Sequence, residues 1–257
     1  MEPDSLNPTT SHPFLTSAAS FALPAPRLAF WLSQDRIYAS QAYPRFIAQL
    51  ITKIPLDAPS SLPPSPEGTQ DLSTQTLRVL VDCLTNIVQE VSFFDNTARK
   101  YALEIGGTRK EDQIWVERKG TRDYTAEMAR VAALGTLEEG LVFLWAMEKV
   151  YLDAWSSVYN SIPNKPISAL ELTAKAIKDL SYNWSIANPG FAQFVQTIGD
   201  LVDAYFAPVM SGKGIAGRTS SDALAGAEAI WARVVELEAE FWPADGEETT
   251  MRIARVW

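Results

Sequence analysis

The sequence predicts an all-α protein, a helical bundle of about seven to eight helices. Two observations predict it: apolar residues recur at i, i+3, i+4 and i+7 over most of the chain after residue 70, and the alternation typical of strands is scarce. Helix punctuation agrees, because Thr136 and Glu139 have the spacing of a capping box and Gly135 separates two periodic stretches. The predicted helices cover residues 28–54, 72–100, 124–134, 137–159, 170–184, 191–206 and 223–242.

The 257 residues are interpreted as one domain, because no linker divides two periodic regions. Proline is concentrated near the start, with eleven of the 16 prolines in residues 1–66. Pro44 lies inside the first predicted helix, where we expect a kink or a break. The predicted irregular segments are an N-terminal extension (1–20), a Pro/Ser-rich loop (55–70), a charged loop with a short hairpin around residues 114–116 (104–123), and a glycine-rich loop (210–221).

Composition and charge exclude several classes of function. The 22 basic and 31 acidic residues give a net charge of −9 with no basic patch, which argues against nucleic acid as a partner. No apolar run is long enough to predict a membrane span, and the first residues do not resemble a secretory signal, so we expect a cytoplasmic protein without a membrane partner. Cys83 is the single cysteine and His12 the single histidine, which excludes intrachain disulfides, multi-cysteine or two-histidine metal sites, and histidine-dependent triads. We expect no metal and no cofactor.

Three predicted helices each place a carboxylate between aromatic residues at helical spacing. Such stripes are usually core with the carboxylate at the rim, but three in one chain favour a pocket between helices. A carboxylate buried on such a face has to be paired, neutral or functional, because burying an isolated charge is costly. Rings and carboxylates together suit a flat, polar heteroaromatic ligand. The three groups are Asp35 with Trp31 and Tyr38, Glu148 with Trp145 and Tyr151, and Glu238 with Phe241 and Trp242.

Several short motifs follow one another in a characteristic order along nearly the whole chain. They are His12-Pro13-Phe14, Ala22-Leu23-Pro24, the segment from Trp31 to Tyr38, Tyr124-Thr125 with Met128, and the segment from Leu237 to Trp242. In order and spacing they are similar to the motifs of the TenA family, thiaminase II-like proteins with the haem-oxygenase-like all-α fold. The resemblance implies that fold, a small aminopyrimidine from thiamine breakdown as the partner, no cofactor, and a homodimer or homotetramer.

The resemblance also implies an activity, the hydrolysis of the exocyclic amine of 4-amino-5-aminomethyl-2-methylpyrimidine in thiamine salvage. By motif, Asp35 would hold the amino group and a ring nitrogen of the pyrimidine, with Tyr38 beside it. Glu238 would be the acid/base residue, and Phe241 and Tyr124 would pack against the ring.

The position of the family's nucleophile departs from the pattern. Tyr151 matches the tyrosine four residues after the family's catalytic cysteine, and the position of that cysteine holds Met147. A thioether cannot act as a thiolate does, and Cys83 lies on another predicted helix. The departure resembles the Cys-lacking TenA_E branch, in which a nearby glutamate is the marker, and Glu148 is the candidate. The implied catalysts are then Glu238 and Glu148, acting on a free or formylated amine, with Met147 among the binding residues.

Particular residues argue against several other functions, and one alternative function stays open. A haem ligand would be a histidine on a helix that faces the cavity, whereas His12 precedes Pro13 and is typical of a helix start. A di-iron centre needs Glu-x-x-His pairs, which the chain lacks, and a PqqC-like oxidase would need several basic and histidine residues. The remaining alternative is a non-catalytic pyrimidine-binding or interaction protein on the same fold.

Overall fold

The computed structural model describes residues 10–55, 71–105, 113–166, 168 and 170–254. Within these residues the chain forms ten α-helices, one π-helical turn and a two-stranded antiparallel sheet. The elements are α1 (Pro13–Ala19), α2 (Ala25–Ile37), the π turn (Tyr38–Ala42), α3 (Tyr43–Thr52), α4 (Leu72–Lys100), β1 (Gln113–Trp115), α5 (Lys119–Leu134), α6 (Leu137–Ser161), α7 (Leu172–Asn183), α8 (Pro189–Met210), α9 (Ser220–Phe241), α10 (Glu247–Thr250) and β2 (Arg252–Ala254).

The all-α prediction is confirmed. Among the described elements, α2 and α4 to α9 each have twelve or more residues, which gives seven long helices. Helix α4 begins and ends where the apolar spacing predicts. The capping box also forms, because the Thr136 hydroxyl accepts from the Glu139 N–H while the Glu139 carboxylate accepts from the Thr136 N–H. The predicted loop 55–70 lies outside the described residues after Pro55.

The predicted loop 104–123 is wrong in two respects. Helix α5 starts inside it, at Lys119, because the buried Gln34 side chain accepts hydrogen bonds from the Arg118 N–H (2.9 Å) and the Thr121 hydroxyl (3.0 Å). The expected local hairpin is also absent from the described residues, since β1 pairs with β2 near the other end of the chain. Both corrections come from long-range contacts that local spacing does not carry.

The prediction of an irregular N-terminal extension (1–20) also has to be corrected, because this segment contains α1, a helix of the core. His12 caps this helix, as its Nδ1 accepts from the Phe14 N–H at 3.1 Å, which agrees with the role of a helix start. Phe14 is fully buried and stacks on Trp242, with ring centroids 5.5 Å apart. Helix α1 packs against α6, so this segment closes one side of the bundle.

The expected break near Pro44 has the form of a π turn between α2 and α3. The Tyr43 N–H donates to the Tyr38 carbonyl, one residue wider than in an α-helix. Proline lacks an N–H and its ring clashes with the carbonyl four residues earlier, so the wider turn relieves this conflict. As a result, Tyr38, Ala39 and Tyr43 all face the same internal space.

Helix α6 is the centre of the bundle and packs against α1, α5, α7, α8 and α9. Three buried tryptophans from other parts of the chain meet Trp155 of this helix: Trp31, Trp184 and Trp242. The centroids of Trp31 and Trp155 are 5.0 Å apart, and both rings are fully buried. Among the described helices, none combines the length and the apolar character of a membrane span.

Candidate functional site

Side chains from α2, the π turn, α3, α4, α5, α6 and α9 enclose a small cavity, which we call the inner pocket. Its free volume is about 30 Å³. All eight site residues named from the sequence line it, and three more residues do so without having been predicted. The lining residues are Asp35, Tyr38, Ala39, Tyr43, Glu90, Tyr124, Met147, Glu148, Tyr151, Glu238 and Phe241.

The inner pocket holds four carboxylates, and no lysine or arginine is among its lining residues. Burial raises the pKa of Asp35 to about 7 and that of Glu148 to about 7. Burial, reinforced by repulsion from Asp35 and Glu148, raises the pKa values of Glu90 and Glu238 well above the ordinary range. Because the charged forms lose hydration and find no cation, the pocket favours carboxyl groups that hold a proton near neutral pH.

Three of these carboxylates have fixed partners. The Tyr151 hydroxyl donates to Oδ2 of Asp35 at 2.5 Å, and the Tyr43 hydroxyl donates to Oε1 of Glu148 at 2.8 Å. The indole N–H of Trp184 donates to Oε1 of Glu90 at 2.7 Å. Each bond fixes the orientation of a carboxylate with a rigid aromatic side chain, so the acidic groups are positioned before a ligand arrives.

Glu238 differs from the other three carboxylates. It is 2% exposed, and its Oε1 has no hydrogen-bond partner in the described structure. The buried hydroxyl of Tyr124 lies beside Glu238 and lowers the pKa of this carboxyl, but the two groups do not meet in full hydrogen-bond geometry. A buried polar atom without a partner costs about 1–3 kcal/mol, so these two atoms form the part of the pocket that a polar ligand would complete.

Aromatic rings form the walls around the carboxylates. The Tyr38 ring meets Tyr124 edge-on at 5.5 Å between centroids, and it meets Phe241 at 6.1 Å in a similar arrangement. On the other side, Tyr151 stacks almost parallel on Trp242, with 5.9 Å between centroids and 10° between planes. Edge-to-face and offset contacts are the preferred geometries of aromatic pairs, so these walls are well packed as well as apolar.

Neither sulfur atom near the site supplies a thiolate. Met147 lines the pocket, and its Sδ accepts a hydrogen bond from the Tyr38 hydroxyl at 2.9 Å. Cys83 is fully buried beside Tyr43, outside the pocket lining, and burial raises the pKa of its thiol. Although four carboxylates converge, no group of three or more metal-binding side chains in the described residues has an arrangement that could hold a metal ion.

Glu90 and Tyr43 are the polar residues that the sequence analysis missed. Glu90 follows the buried Ile87 by three residues and precedes the buried Phe94 by four, so it lies on the inward face of α4. Phe93 and Phe94 follow Glu90 by three and four residues, which is the spacing of Phe241 and Trp242 after Glu238, so the same local signal could have identified Glu90. Tyr43 was hidden by Pro44, since the π turn that directs it inward cannot be read from the apolar period.

A second cavity shares Glu90 with the inner pocket, and we call it the outer groove. Its volume is about 430 Å³, and it is open to solvent at the surface. Aromatic rings and side-chain amides predominate in it. It is lined by Asn86, Gln89, Glu90, Phe93, Asn183, Trp184, Asn188, Gly190, Phe191 and Phe194.

Solved structures with the same architecture come from the archaea and the bacteria. A TenA homologue from Pyrococcus furiosus superposes with a TM-score of 0.65 at 19% identity, covering 91% of this chain and 90% of that one. The chain has the TenA fold. A TenA homologue from P. horikoshii OT3 gives 0.63 at 17% identity, with 91% and 89% covered. A TenA family transcription regulator from Silicibacter sp. TM1040 gives 0.63 at 15% identity, with 91% and 88% covered. At these identities the likeness shows the fold, and it confirms the TenA-like bundle predicted from the motifs.

Sequence comparison adds one curated relative. No protein-family model matches the chain. A protein described as a probable transcription factor, from Fusarium pseudograminearum (strain CS3096), is 25% identical over 257 aligned positions, which cover 89% of this chain and 48% of that protein. The chain therefore spans about half the length of this relative.

Proposed function

We propose that the inner pocket binds an aminopyrimidine and hydrolyses its exocyclic C–N bond by carboxylate acid/base catalysis. The ligand class is that of 4-amino-5-aminomethyl-2-methylpyrimidine, with its amine free or formylated, as in thiamine salvage. One observation carries the proposal: four carboxylates converge in an aromatic pocket without a basic side chain in its lining. Such a pocket is complementary to a flat ring that carries several N–H donors.

The ligand fits the polar atoms of the pocket. An amino group of the pyrimidine donates to Asp35, and the ring packs between Tyr38, Tyr124 and Phe241. The leaving amine lies at Glu238, where Oε1 lacks a partner. The empty cavity of about 30 Å³ is small beside the roughly 150 Å³ that holds a benzene ring, so the tyrosine side chains that cross it have to separate on binding. The contacts that open are Tyr151–Asp35 and Tyr38–Met147.

The reaction needs one acid and one base. Glu238, whose raised pKa keeps it protonated, gives its proton to the amine nitrogen as the C–N bond breaks. A water molecule forms the new C–O bond at the methylene carbon and passes a proton to Glu148, whose pKa of about 7 lets it accept one. The products are the hydroxymethyl pyrimidine and ammonia, so the balance closes with one water consumed and no covalent intermediate.

Ammonia release by the purified protein tests this function. We expect turnover of the aminomethyl pyrimidine by the wild type and a loss of 10²–10⁴-fold, roughly the value of general acid catalysis, in Glu238→Gln. Glu240→Gln is the matched control, because Glu240 lies two residues further along the same helix and is exposed. Full activity of the Glu238→Gln protein would show that this assignment is wrong.

A second candidate function is binding of the same ligand without turnover. Two observations favour it: Met147 stands where the family's nucleophile belongs, and the curated relative is described as a probable transcription factor of about twice this length. Thermal denaturation with the aminopyrimidine separates the candidates. A rise in Tm together with no ammonia release identifies a binding module, whereas a rise with release identifies the enzyme.

A further inference from the structure

The last turns of helix α9 carry two residues of the inner pocket, Glu238 and Phe241. The helix ends at Phe241, and the chain continues in an extended conformation at Trp242. The last carbonyl groups of a helix have no partner within the helix, so its end depends on neighbouring groups to hold it in place. The position of Glu238 in the pocket therefore depends on what binds this end of α9.

The side chain of Arg118 binds the end of α9. Its guanidinium group is 8% exposed, and one terminal nitrogen donates to the Glu240 carbonyl, two residues beyond Glu238. The other terminal nitrogen donates to Oε2 of Glu247 at 2.8 Å, which fixes the orientation of the guanidinium group. A cation at the carboxyl end of a helix also interacts favourably with the helix dipole.

The backbone of Arg118 is bound to another wall of the bundle. Its N–H donates to Oε1 of the fully buried Gln34 at 2.9 Å, and Gln34 precedes Asp35 in helix α2. The start of α5 lies so close to the end of α9 that a Cβ atom at Gly120 would overlap the Glu240 carbonyl oxygen. Arg118 thus joins α2, which carries Asp35, to the end of α9.

We propose that Arg118 is a positioning residue, which sets the position of Glu238 relative to Asp35. The inference rests on the proposed function, in which Asp35 holds the pyrimidine and Glu238 gives a proton to the leaving amine. Arg118 is not among the lining residues of the inner pocket, so it acts on the reaction through the end of α9. A displacement of about 1 Å in a reacting group lowers a rate by up to about 10²-fold, whereas binding at Asp35 should change far less.

Steady-state kinetics of ammonia release test this assignment. Arg118→Met removes both hydrogen bonds of the guanidinium group, so kcat should fall by about 10- to 100-fold while KM for 4-amino-5-aminomethyl-2-methylpyrimidine stays within about twofold. Arg118→Lys keeps the charge and only part of the hydrogen bonding, so its kcat should lie between the values of the wild type and Arg118→Met. A general loss of packing would not produce this order at an unchanged KM.

Two control variants separate positioning from the loss of a buried ion pair. Arg27→Met removes another buried arginine, which pairs with Glu248 of the same short helix α10 at 3.3 Å and has no hydrogen bond or ion pair to α9 in the described structure. Glu247→Gln removes the ion pair of Arg118 but keeps its bond to the Glu240 carbonyl. Both should keep kcat within about threefold of the wild type. The Tm of every variant shows how far each one is destabilised.

The outcomes distinguish the two proposals. A kcat that falls in both Arg118 variants and is kept in Arg27→Met, at comparable Tm, supports positioning. If the Arg118 variants turn over like Arg27→Met, or if KM rises as kcat falls, the positioning role is wrong and the proposed function stands. If the wild type releases no ammonia, the proposed function fails and the positioning role fails with it. If Arg118→Met does not fold, Arg118→Lys against Arg27→Lys decides in the same way.

Discussion

The inner pocket and the outer groove share Glu90, yet they differ in volume and in the hydrogen bonding of their polar side chains. In the pocket, carboxylates are held by tyrosine hydroxyls and an indole N–H, and the free volume is about 30 Å³. In the groove the volume is about 430 Å³, and the amides of Asn86 and Gln89 have no partner in the described structure. The pocket is small and most of its carboxyl groups already have partners, whereas the groove is larger and lined by rings and amides. The fold therefore joins two cavities of different chemistry through one shared carboxyl group.

The largest expected difference between the two regions is in stability. Trp155 is fully buried under the pocket between Trp31 and Trp184, while Phe191 is only partly buried at the rim of the groove. Trp155→Ala should lower the free energy of unfolding by about 3–5 kcal/mol, because a large cavity remains in the core. Phe191→Ala should cost about 1 kcal/mol. Urea denaturation of both variants measures this, and equal losses would remove the distinction between a tightly packed and a loosely packed region.

The buried carboxylates predict an unusual dependence of stability on pH. The pKa values of Asp35 and Glu148 are raised to about 7 in the folded protein, so between about pH 4 and pH 7 the folded state binds more protons than the unfolded state. Stability should therefore fall by several kcal/mol as the pH rises through this window, and it should go on falling above it, because the pKa values of Glu90 and Glu238 are raised as well. Asp35→Asn should flatten the fall, whereas Glu228→Gln, at an exposed position, should keep it. Chemical denaturation at several pH values measures the slope, and a stability that rises from pH 4 to pH 7 would contradict the prediction.

A smaller effect should follow from the loss of one hydroxyl. Tyr43→Phe removes the hydrogen bond to Glu148 and with it the one contact that lowers the pKa of this carboxyl. A hydrogen bond to a charged group contributes about 1.5–3 kcal/mol, so the pH–rate profile of hydrolysis should move to higher pH and the rate near neutrality should fall about tenfold. Tyr205→Phe is the control, since that hydroxyl contacts Thr76 away from the pocket. An unchanged profile would show that Glu148 does not titrate in the reaction.

The helices were accessible to sequence reasoning because local spacing determines them. The apolar period of α4 gives both of its ends, and Thr136 with Glu139 gives the start of α6. The start of α5 at Lys119 was not accessible, since it depends on Gln34, a residue more than eighty positions earlier. The pairing of β1 with β2 depends on a similar long-range contact.

The candidate site divides in the same way. Asp35, Glu148 and Glu238 were found because each stands beside rings on its own helix, which is a local signal. That the three carboxylates lie in one cavity follows only from the packing of the helices in the bundle. The inward position of Tyr43 depends on the π turn at Pro44. The groove forms where α4 packs near the start of α8, two elements about a hundred residues apart in the sequence. No period in the sequence describes a cavity whose walls come from such distant segments.

The smallest expected effect concerns the position that departs most from the family's pattern. Met147→Leu keeps the volume of the side chain, so packing should change by less than about 1.5 kcal/mol. It removes the sulfur that accepts from the Tyr38 hydroxyl, a contact that has to open when the ligand enters. Because the proposed acid and base are Glu238 and Glu148, ammonia release should stay within about threefold of the wild type, with an unchanged pH profile. A loss comparable to that of Glu238→Gln would show that the thioether takes part in the chemistry and that the carboxylates alone do not account for turnover.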